Sequence, residues 1–444
     1  EMCIRDRCSG SLGPPGATSH AGTFFGEMDL HSLDFTEAVA RFERGEDPMA
    51  APMPVHPSFE DRPGVPDRVF AALDDDAYRR QVAAWHELLA SLPAPDIHHV
   101  HHLTHVNDAL QALDDTPVIA HLHGTELKML AEIRDGAPES WTHAREWQRR
   151  LVAAGRRADR LLLVSPADRE LAIGLLGVSG ASMEVMPNGV DLDRFSARPT
   201  PSRARLAHWR RWLVEDPQGW DESGVPGSVG YSDDDLREGF IDRESGEAMP
   251  VLLYVGRFLG FKRVPLLIRA YAEARAVLGA SAPPLVIWGG YPGEYEGEHP
   301  HSVATKLGVD GVFFTGWRGH DELTLGLNCA DVFVAPSVDE PFGQVYLEAM
   351  ACGLPVIGTD SGGPRSFVNI EPTRPSGWLV TPDSQGELAA AIVESMSRDG
   401  ERAERGRHGQ AMVEREYDWR RVAERVDGIY RDVLASRGAT PPGG

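Results

Sequence analysis

Short apolar runs that alternate with helical stretches constrain the fold of this 444-residue chain more than any other feature. Between residues 97 and 189 the runs are IHHVHHL, PVIAHLHG, RLLLVS and MEVMPNG. A stronger series after residue 249 consists of PVLLYVGR, PLVIWGG, GVFFTGW, DVFVAPS, LPVIGTD and GWLV. Such runs, separated by amphipathic helices, are typical of parallel βαβ units. The sequence therefore predicts an α/β protein with two Rossmann-like, doubly wound parallel-sheet domains.

Shifts in composition give the expected domain boundaries. The predicted divisions are a disordered or artefactual lead-in (1–23), an N-terminal Rossmann-like domain (24–195), an inserted linker region (196–249), a C-terminal Rossmann-like domain (250–420), a helix crossing back to the first domain (421–436) and a flexible tail (437–444). The first domain looks incomplete, because no opening strand precedes residue 24 and GATSHAGTFFG is all that resembles its Gly-rich turn. Within the insertion, WDESGVPGSVGYSDDDL is predicted to be too polar for a core.

Charge and cysteine content exclude some classes of protein. The formal net charge of −23 argues against a general nucleic-acid binder, which usually carries a basic footprint. Four cysteines imply no disulfide framework, and no apolar run approaches the length of a membrane span, so we expect a cytoplasmic protein. The helix WTHAREWQRRLVAAGRRADR is basic and amphipathic. A solvated face is the commoner use of such a helix, and contact with an anionic membrane surface is the alternative.

The stretch DEPFGQVYLEAMACGLPVIGTDSGGPRSF places two carboxylates, Glu340 and Glu348, eight positions apart around a predicted helix. Pro suits the first turn of a helix and Gly its C-terminal end. The mouth of this helix leaves the amides of Phe342, Gly343 and Gln344 free, and free amides with the helix dipole form an anion site. Acceptors on both sides of an anion site suit a ligand with hydroxyls on both sides of a phosphate, such as a nucleotide sugar.

A second motif, VGRFLGFKR, places Arg257 just after a strand and Lys262 at the start of the next helix. Ligands of open α/β sheets bind at the carboxyl ends of strands. Two cations there, beside the small residue Gly256, suit a diphosphate. The alternative is a solvated loop, but the carboxylates of the same domain favour phosphate binding. SGGPRSF is a second glycine-rich turn that could form an amide nest.

Histidines gather in the first domain. His123 and Gly124 end the strand PVIAHLHG, where either a structural or a functional histidine is expected. Five further histidines resemble a metal site at first: His98, His99, His101, His102 and His105. Strand alternation would divide them between two faces, and no nearby cysteine or carboxylate completes a ligand set. We therefore predict no metal site.

Two aspartates in Asp191-x-Asp193 resemble the paired aspartates that hold a metal–diphosphate in some transferases. Here they follow MPNGV in a loop that enters the insertion. We expect them to stabilise that loop, because aspartate side chains often bond the backbone two residues further on.

Taken together, these motifs resemble glycosyltransferase family 4, the retaining Glu-x7-Glu enzymes of glycosyl transferases group 1, which have the GT-B fold with two domains facing a cleft. The resemblance covers roughly residues 97–195 and 250–435. Its most specific part is EPFGQVYLEAMACGLPVIGTDSGG, and VGRFLGFKR, MPNGVDLDRF and the strand ending in His123-Gly124 agree with it.

The resemblance implies a role for each matching residue. Glu340 would hold hydroxyls of the donor sugar and Glu348 the ribose. Arg257 and Lys262, with the amides of Phe342, Gly343 and Gln344, would bind the diphosphate. His123, followed by Gly124, would reach the donor sugar from the N-terminal acceptor domain.

The resemblance also implies a reaction. A hexosyl unit would pass from a nucleoside-diphosphate sugar, UDP being the favoured nucleotide, to a sugar, a lipid-linked or a small-molecule acceptor. No metal or other cofactor is implied, and the β-phosphate itself would take the acceptor's proton. The pathway would be carbohydrate biosynthesis. Two alternatives stay open: a nucleotide-sugar epimerase on the same fold, and a non-catalytic nucleotide-sugar-binding partner protein.

Three departures from the family pattern affect these expectations. The start of the first domain is incomplete, which bears on the activity of this chain. Arg365 and Ser366 stand where the family often has an acid, so the SGGPRSF loop would hold phosphate differently. The insertion at 196–249 is longer than a usual hinge, and we hypothesise that it shapes access of the acceptor.

Overall fold

The computed structural model describes residues 6–11, 29–59 and 65–438 of the chain. The chain divides into two compact units, the first made of Glu1–Met186 with Ala423–Gly444 and the second of Pro187–Val422. Each unit contains a parallel β-sheet with helices between its strands. The predicted fold class, α/β with two parallel-sheet units, is confirmed.

The sheet of the second unit has six strands among the residues that the structure describes, in the order β12-β11-β10-β7-β8-β9, all parallel. They are β7 (Leu252–Gly256), β8 (Leu285–Gly289), β9 (Val312–Gly316), β10 (Val332–Val334), β11 (Val356–Thr359) and β12 (Gly377–Val380). Nearly all of their residues are buried, as expected of strands covered by helices on both faces. The apolar runs predicted as strands after residue 249 are these strands.

The helices of the second unit follow the strands in the order expected of a doubly wound domain. They are α7 (Ser202–Arg210), α8 (Asp233–Phe240), α9 (Val264–Leu278), α10 (Pro300–Leu307), α11 (His320–Asn328), α12 (Gln344–Ala351), α13 (Gln385–Ser397) and α14 (Asp399–Glu416). Short 3₁₀ helices span Gly260–Lys262, Gly279–Ser281 and Gly363–Ser366, and a π-helical turn spans Arg211–Glu215. The last helix, α15 (Trp419–Ser436), begins in the second unit and passes into the first.

The first unit has a four-stranded parallel sheet in the order β3-β4-β5-β6 and, within the described residues, a separate parallel pair, β1 with β2. The strands are β1 (Asp6–Ser11), β2 (Asp29–Asp34), β3 (His98–His101), β4 (Val118–Leu122), β5 (Arg160–Leu163) and β6 (Met183–Val185). The helices are α1 (Thr36–Glu43), α2 (Asp75–Ala90), α3 (Val106–Leu113), α4 (Thr125–Gly136), α5 (Ala144–Arg157) and α6 (Pro166–Leu176), with 3₁₀ turns at Pro48–Ala50, Phe70–Ala72 and Gly180–Ser182.

Two apolar clusters hold the first unit together. The larger one lies between the four-stranded sheet and helices α4 to α6, and at its centre Phe70 stacks on Trp147 with ring centroids 4.3 Å apart. The smaller one joins β2 to α2 through residues such as Leu33 and Trp85. The Pro-rich segment before Phe70 contributes Val55 to this second cluster, so its described part is an ordered, buried loop.

A strand occupies part of the range that we expected to be disordered or artefactual. Asp6–Ser11 pairs with Asp29–Asp34 in parallel, and these are strands that the sequence did not indicate. The rest of that lead-in, the segment GATSHAGTFFG and the tail beyond residue 438 lie outside the described residues.

The insertion at 196–249 belongs to the second unit and contributes to its core, so the expectation of a stretch too polar for a core was wrong. Trp220 is 1% exposed, and its indole N–H donates to the carbonyl of Gly290 at 2.9 Å. The Trp220 ring stacks on Phe258 with centroids 5.3 Å apart. The few apolar residues of the insertion pack on the α/β unit rather than on each other, and average composition does not reveal such contacts.

The insertion also covers the edge strand β9. The backbone N–H of Phe314 donates to the hydroxyl of Tyr231 at 2.9 Å, which satisfies a group that an edge strand leaves unpaired. Just beyond β9, Arg318 donates to the carbonyl of Trp212 at 2.9 Å and pairs with Asp216 at 3.0 Å, with its side chain 2% exposed. The segment is therefore an edge cover of the sheet as well as a connection.

Helix α5 carries the basic stretch for which we considered membrane contact. Several of its arginines pair with acids of the same unit: Arg149 with Glu146, Arg150 with Asp75, and Arg157 with Asp108. The guanidinium of Arg150 also lies 3.7 Å from the centroid of the Tyr78 ring. This pairing favours the solvated, structural use of the helix. None of the helices within the described ranges is long and apolar enough to cross a bilayer.

Candidate functional site

The carboxyl ends of β7 and β10 bring the two predicted charge motifs together. The strands are neighbours in parallel, so the loops that follow them lie at the same edge of the sheet. After β7, a 3₁₀ turn presents Lys262, and after β10 the chain reaches Glu340. The ammonium of Lys262 contacts the carboxylate of Glu340, with side chains 16% and 12% exposed. This ion pair lies at the position predicted for a donor site.

Backbone contacts fix the two loops against each other. The N–H of Val338 donates to the carbonyl of Phe261 at 2.8 Å, which joins the segment beside Lys262 to the segment before Glu340. Asp339 has a left-handed backbone (φ 52°), and its carboxylate accepts from the Ser361 hydroxyl at 2.7 Å. A non-glycine residue in this conformation is uncommon and is often found at binding sites.

The mouth of helix α12 lies directly after Glu340. Gly343 is its N-cap with a φ of 94°, a conformation that suits glycine, and among the described residues no side chain caps the helix there. The amides around Phe342, Gly343 and Gln344 thus lie where the helix dipole is positive. The structure brings these residues and Lys262 to the same edge of the sheet, where the sequence predicted an anion site.

Glu348 lies further along α12, and its side chain faces a buried environment. The residue is 9% exposed. Burial raises its pKa to about 7, while the charge of Arg194 and a hydrogen bond from the Gln344 side chain oppose that rise. The Gln344 amide also donates to the carbonyl of Gly189 at 2.7 Å. Because its pKa lies near 7, this carboxyl can accept hydrogen bonds from hydroxyl groups or donate one to them at neutral pH.

Arg257 does not join the Lys262–Glu340 pair. It follows Gly256 at the end of β7, and its guanidinium lies 3.2 Å from the carboxylate of Glu294. The side chain is 48% exposed, and its backbone carbonyl accepts from the Tyr254 hydroxyl at 2.9 Å. Arg257 therefore sits at the predicted edge of the sheet but has an acidic partner that a phosphate would have to replace.

The glycine-rich loop after β11 packs on the Glu340 segment. The N–H of Gly363 donates to the carbonyl of Glu340 at 2.7 Å. A Cβ atom at Gly362 would lie 2.3 Å from that same carbonyl oxygen, and one at Gly363 would lie 2.2 Å from the carbonyl oxygen of Phe342. The loop continues into a short 3₁₀ helix, where Arg365 pairs with Asp360 at 2.8 Å. The two glycines thus support the backbone that carries Glu340.

The segment MPNGVDLDRF contributes to this site in a way that the motif alone did not show. The carbonyl of Gly189 accepts from the Gln344 side chain, and the positive charge of Arg194 favours the ionised form of Glu348. The carboxylate of Asp191 accepts from the backbone N–H groups of Asp193 at 3.1 Å and Arg194 at 3.2 Å. The prediction that this aspartate stabilises its own loop is confirmed.

In the first unit, His123 and Gly124 lie at the carboxyl end of β4. Gly124 has a φ of 92° and begins helix α4. His123 Nε2 lies 2.8 Å from His101 Nδ1, and burial, with the neighbouring His121, lowers the pKa of His123 to about 2. Its ring is therefore neutral near pH 7, so that one nitrogen donates a hydrogen bond and the other accepts one.

The sequence showed a group of histidines near β3 but not that some of them pack around His123. The rings of His99, His101 and His121 stack beside it, and the Nδ1 atom of His99 lies 2.5 Å from the hydroxyl of Tyr430 on α15. His102 lies 3.2 Å from the carboxylate of Glu126, which is fully buried. The pairing register of β3 with β4 was the missing signal, because it sets which histidines share a face.

Two family models match the chain. The model "Glycosyltransferase Family 4" matches residues 39–194, and the model "Glycosyl transferases group 1" matches residues 249–398. A D-inositol 3-phosphate glycosyltransferase of Kineococcus radiotolerans is 30% identical in an alignment over 351 residues that covers 74% of this chain and 69% of that protein. The protein of the same name from Stackebrandtia nassauensis is 28% identical, over 73% of this chain and 65% of its own length. The chain spans about two thirds of these relatives.

Solved structures share the fold. Sucrose-phosphate synthase from Thermosynechococcus elongatus has a TM-score of 0.64 and 19% identity, covering 97% of this chain and 89% of that one. HepE from Anabaena, in complex with UDP-glucose, has a TM-score of 0.59 and 20% identity, covering 97% and 99%. The two parallel-sheet units and these neighbours define the GT-B class of fold. The chain belongs to glycosyltransferase family 4, within glycosyl transferases group 1, as its motifs indicated.

Proposed function

We propose that this chain is a retaining hexosyltransferase that takes its sugar from a UDP-sugar and needs no metal for transfer. One observation carries the proposal: the Lys262–Glu340 pair stands beside the uncapped mouth of α12. A cation and free amides suit the diphosphate, and a carboxylate next to them suits the hydroxyls of the attached sugar.

The donor would be held along α12. Glu340 would accept hydrogen bonds from sugar hydroxyls and Glu348 from the ribose. Lys262 and the amides near Gly343 would bind the diphosphate, joined by Arg257 once it leaves Glu294. Support for a UDP donor comes from HepE, a structural neighbour whose structures contain UDP, glucose and UDP-glucose.

The reaction would proceed on one face of the sugar. The acceptor oxygen would form a bond to the anomeric carbon as the bond from that carbon to the β-phosphate oxygen breaks. The acceptor's proton would pass to the departing phosphate, so UDP leaves and no separate base is required. Lys262 would stabilise the charge that develops on the phosphate. His123 would hold a sugar hydroxyl and orient the ring.

A phosphorylated polyol is the acceptor to test first. The relatives that cover most of this chain are named D-inositol 3-phosphate glycosyltransferases. A sugar or a lipid-linked acceptor are the alternatives. The acceptor would be bound by the first unit, and the insertion at 196–249 would influence its access.

The experiment begins with thermal shift of the full chain in UDP, GDP and ADP. A ligand at about 100 times its Kd adds about 2.7 kcal/mol to apparent stability, so the correct nucleotide raises Tm. Transfer from the matching nucleotide sugars to inositol 3-phosphate is then followed with EDTA present. NMR of the product reports the anomeric configuration.

Retention of configuration, with transfer unaffected by EDTA, is the expected result. Inversion would overturn the retaining assignment, and loss of transfer in EDTA would overturn metal independence. Epimerised donor in the absence of any acceptor would instead support the epimerase alternative. Binding of the nucleotide sugar without transfer or hydrolysis would support a non-catalytic partner protein.

A further inference from the structure

Strands β3 and β4 present four imidazoles on one face of the first unit. His101 is directly opposite His121 in the parallel register, His99 lies two residues earlier on β3, and His123 follows the end of β4, two residues after His121. Residues two apart on a strand share a face. The side chains of His99, His101 and His121 therefore point to the same side of the sheet, and the ring of His123 stacks on those of His101 and His121. The expected division of histidines between two faces holds within β3, but further histidines come from β4 and the residue just after it.

Three of these rings converge closely. One nitrogen from each of His101, His121 and His123 lies within 4.8 Å of the corresponding nitrogens of the other two. The rings of His121 and His123 stack with centroids 4.6 Å apart. Those of His101 and His123 stack at 5.1 Å. The Nδ1 atom of His101 and the Nε2 atom of His123 lie 2.8 Å apart, and neutral imidazole nitrogens are the commonest metal ligands in proteins.

His121 has a nitrogen that is suited to coordination. The residue is 7% exposed and its Nε2 atom is buried with no hydrogen-bond partner among the described residues. The backbone of Met186 lies close enough to influence this ring. A tautomer protonated on Nδ1 would leave a lone pair on the buried Nε2. Metal-ligating histidines typically donate their other N–H to a carbonyl or carboxylate.

We infer that His101, His121 and His123 form a binding site for a divalent transition-metal ion such as Zn²⁺. Three imidazole nitrogens are a set that zinc accepts, at about 2.0–2.1 Å from each nitrogen, with a fourth position for water or another ligand. Mg²⁺ and Ca²⁺ prefer oxygen ligands and do not fit this set. His101 is exposed, so an ion can enter from solvent.

The neighbours of the cluster hold its rings in place. His102 is tied to the buried Glu126 at 3.2 Å, and its ring lies 5.0 Å from that of His123. On the other side, the Tyr430 hydroxyl holds His99. The metal site lies wholly within the first unit. It shares His123 with the proposed donor site, so an ion and a donor sugar would compete for that ring, and metal titrations without donor test the site separately from transfer.

The test uses the full chain and Co²⁺, which replaces Zn²⁺ and whose visible spectrum reports the coordination geometry. We expect one equivalent of Co²⁺ to give a spectrum of a nitrogen-coordinated, low-symmetry site, and Zn²⁺ to displace it. The variants are His101→Gln and His121→Gln. Loss of a partner that only orients a ligand costs about 10–100-fold in affinity, so loss of a ligand should weaken Zn²⁺ binding by about 100-fold or more.

His98→Gln is the matched control, because His98 lies on the same strand with its side chain on the opposite face. It measures how much metal affinity is lost when any one of the 17 histidines, rather than a proposed ligand, is removed. Circular dichroism establishes that each variant is folded, and the exposed His101→Gln carries the test if His121→Gln unfolds. Unchanged Co²⁺ spectra and Zn²⁺ affinity in the folded variants, or equal losses in His98→Gln, would overturn the site.

Discussion

The ammonium of Lys262 and the carboxylate of Glu340 form an ion pair in which neither side chain is more than 16% exposed. Lys262 lies after β7 and Glu340 after β10, and the two residues meet because these strands are neighbours in the sheet. A pair shielded to this degree is a weak device for stability, because desolvation offsets much of the attraction. Its position at the mouth of α12 favours a role in binding.

Replacing Glu340 tests that role. Glu340→Gln keeps the size of the side chain but removes its charge, and we expect kcat/KM for transfer to fall by about 100- to 1,000-fold. The free energy of unfolding should change far less, because Lys262 retains some contact with water. Steady-state kinetics and urea unfolding measure the two effects, with the exposed Glu371→Gln as control. Unchanged kcat/KM would contradict the assignment.

The carboxyl of Glu348 should make stability depend on pH. Burial raises its folded-state pKa to about 7 from the usual 4.5 of a glutamate side chain. Between those values the folded state holds a proton that the unfolded state has lost, so stability falls as pH rises from about 4.5 through 7. The fall is on the order of 3 kcal/mol. Glu348→Gln should remove this component, and urea unfolding from pH 4 to pH 8 checks the difference between the two proteins.

Glu348 should also affect nucleotide binding. If it accepts hydrogen bonds from ribose hydroxyls, Glu348→Ala removes a charge-assisted bond worth about 1.5–3 kcal/mol, or about 10- to 100-fold in Kd. Binding to the original protein should tighten between pH 6 and pH 8 as the carboxyl ionises. Titration calorimetry with UDP measures both effects. Equal affinity of the variant and the original protein would show that the ribose role is wrong.

Much of this architecture could be predicted from the sequence, because strands such as VLLYV and LVIWG are continuous apolar runs bounded by glycine. The insertion could not. Trp212 and Trp220 are fully buried, but they are sparse apolar residues in a polar segment, and their partners, such as Gly290 and Phe258, are distant in sequence. Deleting 196–249 to test acceptor access would therefore also uncover part of the core.

The part of the site that could be predicted from the sequence is the part that lies within single motifs. Glu340 and Lys262 lie on loops whose strands were recognised, so their meeting followed from the general geometry of open parallel sheets. The neighbour of Arg257, Glu294, and the contacts of Gly189 with Gln344 depend on tertiary structure that no local pattern encodes. The histidine cluster depends on the exact register of β3 with β4, because a slip of one residue would move one strand's histidines to the opposite face.

Trp220 should anchor the insertion energetically. Trp220→Ala removes a ring that is 1% exposed, and we expect a loss of about 3–5 kcal/mol in the free energy of unfolding. Trp220→Phe should lose about 1 kcal/mol for the hydrogen bond to Gly290 in addition to its smaller contact area. Trp317, which is 54% exposed, provides the control, since Trp317→Ala should stay within about 0.5 kcal/mol. Equal effects of the two alanine substitutions would contradict the burial of Trp220.

Gly363 should determine the position of the backbone that carries Glu340, because it packs directly against that backbone. A Cβ at this position would lie 2.2 Å from the carbonyl oxygen of Phe342, so Gly363→Ala forces the segment that carries Glu340 to shift. Displacements of this size reduce catalysis strongly, and we expect kcat/KM to fall by about 100-fold. Gly386→Ala is the matched control, because no atom lies within 4 Å of a Cβ there and alanine favours the helix α13.

The two glycine variants separate local crowding from a general effect of substitution. Gly386→Ala should retain transfer, with a stability equal to or slightly above that of the original protein. In Gly363→Ala, UDP affinity measured by calorimetry should fall together with transfer, since the displaced segment continues into the amides at Gly343 that would bind the diphosphate. Transfer and UDP affinity that both survive in Gly363→Ala would mean that the loop after β11 does not support the donor site.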